Sequence, residues 1–296
     1  MNQNFVQIDG LDLMYQGEKV FMQGVTLGNW LILEDHMSGI PYVEHKARER
    51  FSAVLGQAAG QAFFDTYQET YITEKDIAYI KELGVNLLRV PFNYRLLEDG
   101  MSPGVYKEEG FALLDRVIAW AKKYDLFVLL DLHAAPGCQA IDWNVDCAGP
   151  EALFWKEKDY QQRTIKLWQH IAARYKDETT VMGYELLGEP VATAPMEFDH
   201  RPVQEFYREI IPAVRSVDPN HIFLLVANLW GKATESLTDD LFEDPQTMAA
   251  PHHYPYETVP YSEVTEYPCE VVDREKLMKV IDERADQGRI KRPVLF

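Results

Sequence analysis

With 296 residues, 47% of them apolar and 26% charged, the chain suits one large α/β domain with a substantial core. Forty-seven acidic against 29 basic residues give a net charge of −18. That balance argues against nucleic acid and anionic membrane surfaces as partners, since both would repel the chain, and leaves neutral ligands open. No apolar run is long enough to cross a bilayer. The first seven residues have neither a basic nor an apolar segment of the signal-peptide kind, and Cys138, Cys147 and Cys269 lack CxxC spacing. A cytoplasmic location with free thiols is therefore expected, with no metal site and no cofactor.

Residues 20–27 read as a first strand. Residues 73–83 read as a helix, with Thr73 as N-cap, Asp76 in the capping-box position and Gly84 at the C-terminus. Apolar runs at 85–91, 127–132, 181–187 and 221–226 predict strands two to five. Helices with apolar residues at 3.6-residue spacing are predicted at 111–124, 160–175 and 203–217. Asp218-Pro219-Asn220 is a turn. A shorter sixth strand is expected at 247–251, a helix at 273–287, and the opening of a seventh strand at 293–296. The inserts 37–71 and 134–159 are expected to wall off one end of a cleft.

Strand and helix alternate, and the strands are nearly continuous apolar runs. Parallel strands covered by helices follow. Either a (β/α)8 TIM barrel or an open doubly wound sheet meets that description. The turn Gly24-Val25-Thr26-Leu27-Gly28-Asn29 does not match the GxGxxG of nucleotide-binding sheets, which favours the barrel, as a single domain over 1–296. The strand count reaches seven where a closed barrel has eight. The end of strand 7 and all of strand 8 are missing from the pattern.

In such a barrel the reacting groups stand at the C-terminal ends of the strands. Here those ends carry Glu34, Arg89, His133, Glu189, Trp230 and the pair His252-His253 followed by Tyr254. The run Val181-Met182-Gly183-Tyr184-Glu185-Leu186-Leu187-Gly188-Glu189-Pro190 delivers a carboxyl group to the rim, and Pro190 stops the ladder. Partial desolvation there favours the protonated form, as a general acid requires. Arg89 sits inside an apolar strand and must be paired, with a carboxylate as the natural partner; a structural ion pair would satisfy it equally. His133 fits either a core histidine or a site residue. Adjacent histidines on a strand face opposite ways and do not make a zinc motif. Trp143, between Asp142 and Asn144, is placed to stack on a sugar face, as is Trp230 less directly.

Four motifs together resemble family 5 glycoside hydrolases. They are Gly84-Val85-Asn86-Leu87-Leu88-Arg89-Val90-Pro91, Asp131-Leu132-His133-Ala134-Ala135-Pro136-Gly137, Leu186-Leu187-Gly188-Glu189-Pro190 and His252-His253-Tyr254, in the family's order. Gly24 to Glu34 further resembles the exo-β-glucanase branch. The resemblance implies a TIM barrel and retaining hydrolysis of β-glycosidic bonds in β-glucosides or β-glucan oligosaccharides, by two carboxylates about 5–5.5 Å apart. Glu189 matches the acid/base. Arg89, His133, His252 and Tyr254 match the supporting polar shell, and Glu34 and Asp142 match positions that hold the terminal sugar. Two positions depart from the pattern. The family's Asn before the acid/base, which hydrogen-bonds the sugar 2-hydroxyl, is Gly188 here. The nucleophile glutamate that follows strand 7 has no counterpart and is expected just beyond Phe296. The departures leave open a catalytically inactive carbohydrate-binding relative, or a truncated fragment.

Overall fold

The computed structural model describes residues 4–192, 199–253, 278–279, 282–283 and 292–295. The chain opens with an antiparallel meander of three short strands, β1 (Gln7–Asp9), β2 (Asp12–Tyr15) and β3 (Glu18–Val20). Gln16 and Gly17, both at positive φ, form the two-residue turn between β2 and β3, as a right-twisted hairpin requires. Six strands then pair in parallel and in chain order: β4 (Gly24–Thr26), β5 (Leu87–Asn93), β6 (Phe127–Ala134), β7 (Val181–Glu185), β8 (Ile222–Leu225) and β9 (Thr247–Ala249). Val294 adds a parallel bridge to Ala249, where the seventh strand is expected. This is the strand order of a (β/α)8 barrel over its first six to seven strands.

Helices cover the outside of the sheet. α1 (Asp35–Ser38), α2 (Glu44–Leu55) and α3 (Gln57–Thr70) fill the first long insert, and α4 (Glu74–Glu82) returns the chain to β5. Thr73 and Asp76 close the capping box of α4 as the sequence indicates, with Thr73 N donating to Asp76 Oδ2 at 2.8 Å. α5 (Tyr94–Leu97) is a single turn. α6 (Glu108–Lys123), α7 (Lys158–Tyr175) and α8 (Arg201–Arg215) are the main barrel helices. In α8 the buried residues are Val203, Phe206, Tyr207, Ile210, Ile211 and Val214, one continuous helical stripe. They pack with Val90, Leu130, Tyr184 and Phe223 from the outward rows of the strands.

The inward rows change character along the barrel axis. At the lower end Leu87, Leu129, Met182, Ile222 and Met248 form one apolar cluster. Val6, Ile8 and Leu13 of the meander region pack into the same cluster and close that end. Two residues further along the strands, on the same face, stand Arg89 and Asp131. Burying the apolar row fixes the register, and the register sets the charged row at the opposite end.

The expected strand at 20–27 is in fact split: Val20 ends β3, and only Gly24–Thr26 joins the barrel. The expected helix at 273–287 and the residues Tyr254 and Cys269 lie outside the described residues, save for four helical positions.

Candidate active site

Arg89 is the hub of the charged row. Its Nε donates to Glu185 Oε2 at 2.8 Å and its Nη2 to Glu185 Oε1 at 2.7 Å, a bidentate pair. Nη2 also lies 2.8 Å from Asp131 Oδ2. Asp131 and Glu185 are direct neighbours across the β6–β7 ladder, so both carboxylates project into the barrel side by side. His133, two residues after Asp131 on the same face, places Nδ1 2.8 Å from Asp131 Oδ2.

Burial would force a proton onto Asp131, but the guanidinium outweighs it. The Asp131 carboxyl is held below the usual range despite its burial, by Arg89 first and His133 second. Burial works against an imidazolium at His133, yet the charge of Asp131 and their hydrogen bond overcome it and raise the pKa to about 9. His133 is therefore a cation at neutral pH.

Glu189 lies four residues beyond the last residue of β7, in a loop, with φ +43°. Its carboxyl group is buried and held from two sides. His252 Nδ1 lies 2.8 Å from Oε1, and Asn144 Nδ2 donates to Oε2. His252 also faces Glu185, with Nε2 3.9 Å from Oε1. It thus sits between the ion-pair network and Glu189. The strained backbone at Glu189 is pinned by its surroundings: Gly188 N donates to Leu132 O, and Gln139 Nε2 donates to both Gly188 O and His133 O.

The loop after β6 brings the remaining candidates to the same rim. Asp142 Oδ2 accepts from Trp230 Nε1 at 3.0 Å, and Trp230 N donates to Pro190 O. Trp143 is 36% exposed and meets His36 edge-on, ring centroids 4.5 Å apart. His36 Nδ1 in turn lies 4.0 Å from Glu34 Oε2. Glu34, Asp142, Trp143 and Trp230 therefore line one end of the site, while Arg89, His133, Glu189 and His252 form its floor. Tyr254, read as part of the polar shell, lies outside the described residues.

Four residues at the site were given no role by the sequence reading. Asp131 and Glu185 carry the charge that Arg89 needs, Asn144 holds the Glu189 carboxyl, and Gln139 ties the two loops. Asp131 Oδ1 and Asn144 Oδ1 are buried atoms that lack a hydrogen-bond partner among the described residues. Gly188 leaves no room for a side chain in this arrangement. A Cβ there would stand 2.5 Å from His133 Nδ1, 2.8 Å from Asp131 Oδ1 and 3.0 Å from His133 Cα.

Residues 50–292 match the sequence profile of Cellulase (glycosyl hydrolase family 5). A β-xylosidase of Phanerodontia chrysosporium is 37% identical over 251 residues, which are 84% of this chain and 52% of that protein. Endoglucanase C of Acetivibrio thermocellus is 32% identical over 175 residues, 59% of this chain and 48% of that protein. The chain spans about half the length of the curated relatives it matches. Among solved structures, the endoglucanase Cel5A of Thermotoga maritima superposes with a TM-score of 0.61 at 21% identity, covering 92% of this chain and 77% of that one. At that identity the likeness speaks for the barrel fold.

Proposed function

Because the chain belongs to glycosyl hydrolase family 5, we propose that it acts in retaining hydrolysis of β-glycosidic bonds in β-glucosides or short β-glucans. Glu189 is the general acid/base, and the nucleophile glutamate is expected just beyond Phe296. The observation that carries this reading is the Glu189 carboxyl, buried at the barrel rim and held by His252 and Asn144 beside the Arg89 network. Protonated Glu189 gives its proton to the glycosidic oxygen as the nucleophile bonds to the anomeric carbon. The leaving sugar departs, and ionised Glu189 then takes a proton from the water that hydrolyses the glycosyl–enzyme. Val294 pairs in parallel with Ala249, so a chain continuing in that direction heads for the rim that holds Glu189.

The floor residues act by holding charge. Arg89 fixes Glu185 and Asp131, Asp131 keeps His133 charged, and His252 orients Glu189. Glu34, Asp142 and Trp143 hold the terminal sugar, with the exposed Trp143 ring as a stacking face. The partner is an oligosaccharide or β-glucoside.

The test uses the full-length protein with 4-nitrophenyl β-D-glucoside and its xyloside counterpart. Glucoside hydrolysis should release the β-anomer first. Glu189→Ala should lose turnover and regain it with azide, which attacks the glycosyl–enzyme without a general base and gives a β-glycosyl azide. An unchanged rate in Glu189→Gln would overturn the acid/base assignment. Faster cleavage of the xyloside would move the substrate class to xylosides. Gly188 supports a second reading, a saccharide-binding protein without turnover. Turnover abolished by Glu189→Gln would exclude it.

A further inference from the structure

Asn144 donates to the Glu189 carboxyl from the short helical turn Trp143–Val145, within the long loop after β6. A single turn has little stability of its own and must be held from outside. Asp142 caps its start, accepting from Trp143 N at 2.8 Å. Asp146 closes its end in the left-handed conformation, φ +54° and ψ +36°, which Asp tolerates better than most residues. Asp146 N donates back to Trp143 O at 3.2 Å. The buried Asp146 carboxylate then gathers donors from three elements. Oδ1 accepts from His45 N at 2.9 Å and lies 2.7 Å from His45 Nδ1, in the first turn of α2. Oδ2 accepts from Asn93 Nδ2 at 2.9 Å, at the end of β5, and from Arg95 Nε at 3.1 Å, in α5. The anchor is itself braced: Asn93 Nδ2 also donates to the buried Glu44 Oε2, and Arg48 Nε donates to Glu44 Oε1. Burial opposes charge on Asp146, but the hydrogen bond and charge of His45 hold its carboxyl below the usual range.

We propose that Asp146 is a positioning residue for proton transfer: by tying the turn 143–145 to α2, β5 and α5 it keeps the Asn144 amide on the Glu189 carboxyl. The assignment rests on the glycosidase reading above. The effect of Asp146 passes through Asn144 alone. A general acid works only when its proton lies within hydrogen-bond reach of the departing oxygen and is aimed at it. Glu189 is held by His252 on Oε1 and Asn144 on Oε2, so a turn that swings free removes one of these two supports. β5 thereby serves both halves of the site. Its Arg89 fixes the carboxylates of the floor, and its last residue, Asn93, anchors the loop that aims the acid.

The test measures kcat/KM of the full-length protein on phenyl and 2,4-dinitrophenyl β-D-glucosides. Dinitrophenolate departs without a proton, whereas phenolate needs one from the acid. A misaimed acid therefore slows the phenyl substrate selectively, and a damaged fold or weaker sugar binding slows both alike. Asp146→Ala should lower the phenyl value by about tenfold or more and the dinitrophenyl value by less than about threefold, a part of the roughly 10²–10⁴-fold that a general acid supplies. Asn144→Ala should show the same selectivity. Adding Asp146→Ala to it should change the ratio of the two values by less than about twofold, because the route is already cut. Equal losses on both substrates, or losses that multiply in the double variant, overturn the assignment and leave the glycosidase reading intact. Asp146→Asn serves if the alanine variant does not fold: it keeps a residue that tolerates the left-handed backbone, but its NH2 group must face either His45 N or the Asn93–Arg95 pair. Should the wild type cleave neither glucoside, the glycosidase reading fails. The hold of Asp146 on Asn144 is then read from the Asn144 side-chain NH2 signals in 15N NMR, identified by their loss in Asn144→Ala. Slow exchange in the wild type that becomes fast in the Asp146 variant supports it, and unchanged exchange overturns it.

Discussion

Replacing His133 by Asn should change how stability depends on pH. The Arg89 guanidinium stands against two carboxylates, Asp131 and Glu185, and the imidazolium at 133 makes up the difference. Its pKa is about 9 in the folded protein against an ordinary value of 6.5. A folded-state value raised in this way contributes stability that is fully present below about pH 6.5 and lost as pH rises through about 9. At 1.36 kcal/mol per unit the shift corresponds to about 3 kcal/mol, an order-of-magnitude figure for a buried pair. Cys147 titrates in the opposite sense over the same range. A hydrogen bond from Cys138 pulls its thiol down to about 6, so its contribution grows as pH rises. The difference between wild type and His133→Asn cancels that term. Urea unfolding of both proteins at intervals from pH 6 to 9.5 should show a gap in stability that shrinks by about 3 kcal/mol toward high pH. Parallel profiles would mean that His133 is not held as a cation, and the charge balance argued for the site would be wrong.

Gly188→Ala should destabilise the protein by about 1–3 kcal/mol, because the new methyl meets His133 Nδ1 and Asp131 Oδ1 and neither can move without loosening the Arg89 network. A loss under about 0.5 kcal/mol in urea unfolding would show that the pair yields easily. Arg89→Met leaves Asp131 and Glu185 buried without their cation and should cost about 3–5 kcal/mol at pH 7. Part of that loss should return near pH 4, where the carboxylates can protonate; equal losses at both values would place the cost in packing instead.

The barrel was legible because its signal is repeated: five of the six paired strands are apolar runs, and α6, α7 and α8 show their buried stripes in the sequence. The meander was not, because strands of three or four residues are too short to show alternation. Its one local mark was the Gly17 turn. That omission also moved the start of the first barrel strand, since Val20 and Val25 read as one run when they belong to different sheets. In the site, a lone arginine within a strand announced that a carboxylate was needed but could not say which. The answer lay in register. Asp131 stands two residues before His133 and therefore shares its face, and the β6–β7 pairing sets Glu185 beside Asp131. Two adjacent strands that each carry one carboxylate at the end of an apolar row are the pattern that would have found both. Asn144 had no such mark, because its place depends on how a long loop folds back over β7, and no periodicity governs a loop. The parts of the site fixed by strand geometry were therefore readable from residue spacing, whereas the groups that hold Glu189 itself required the fold.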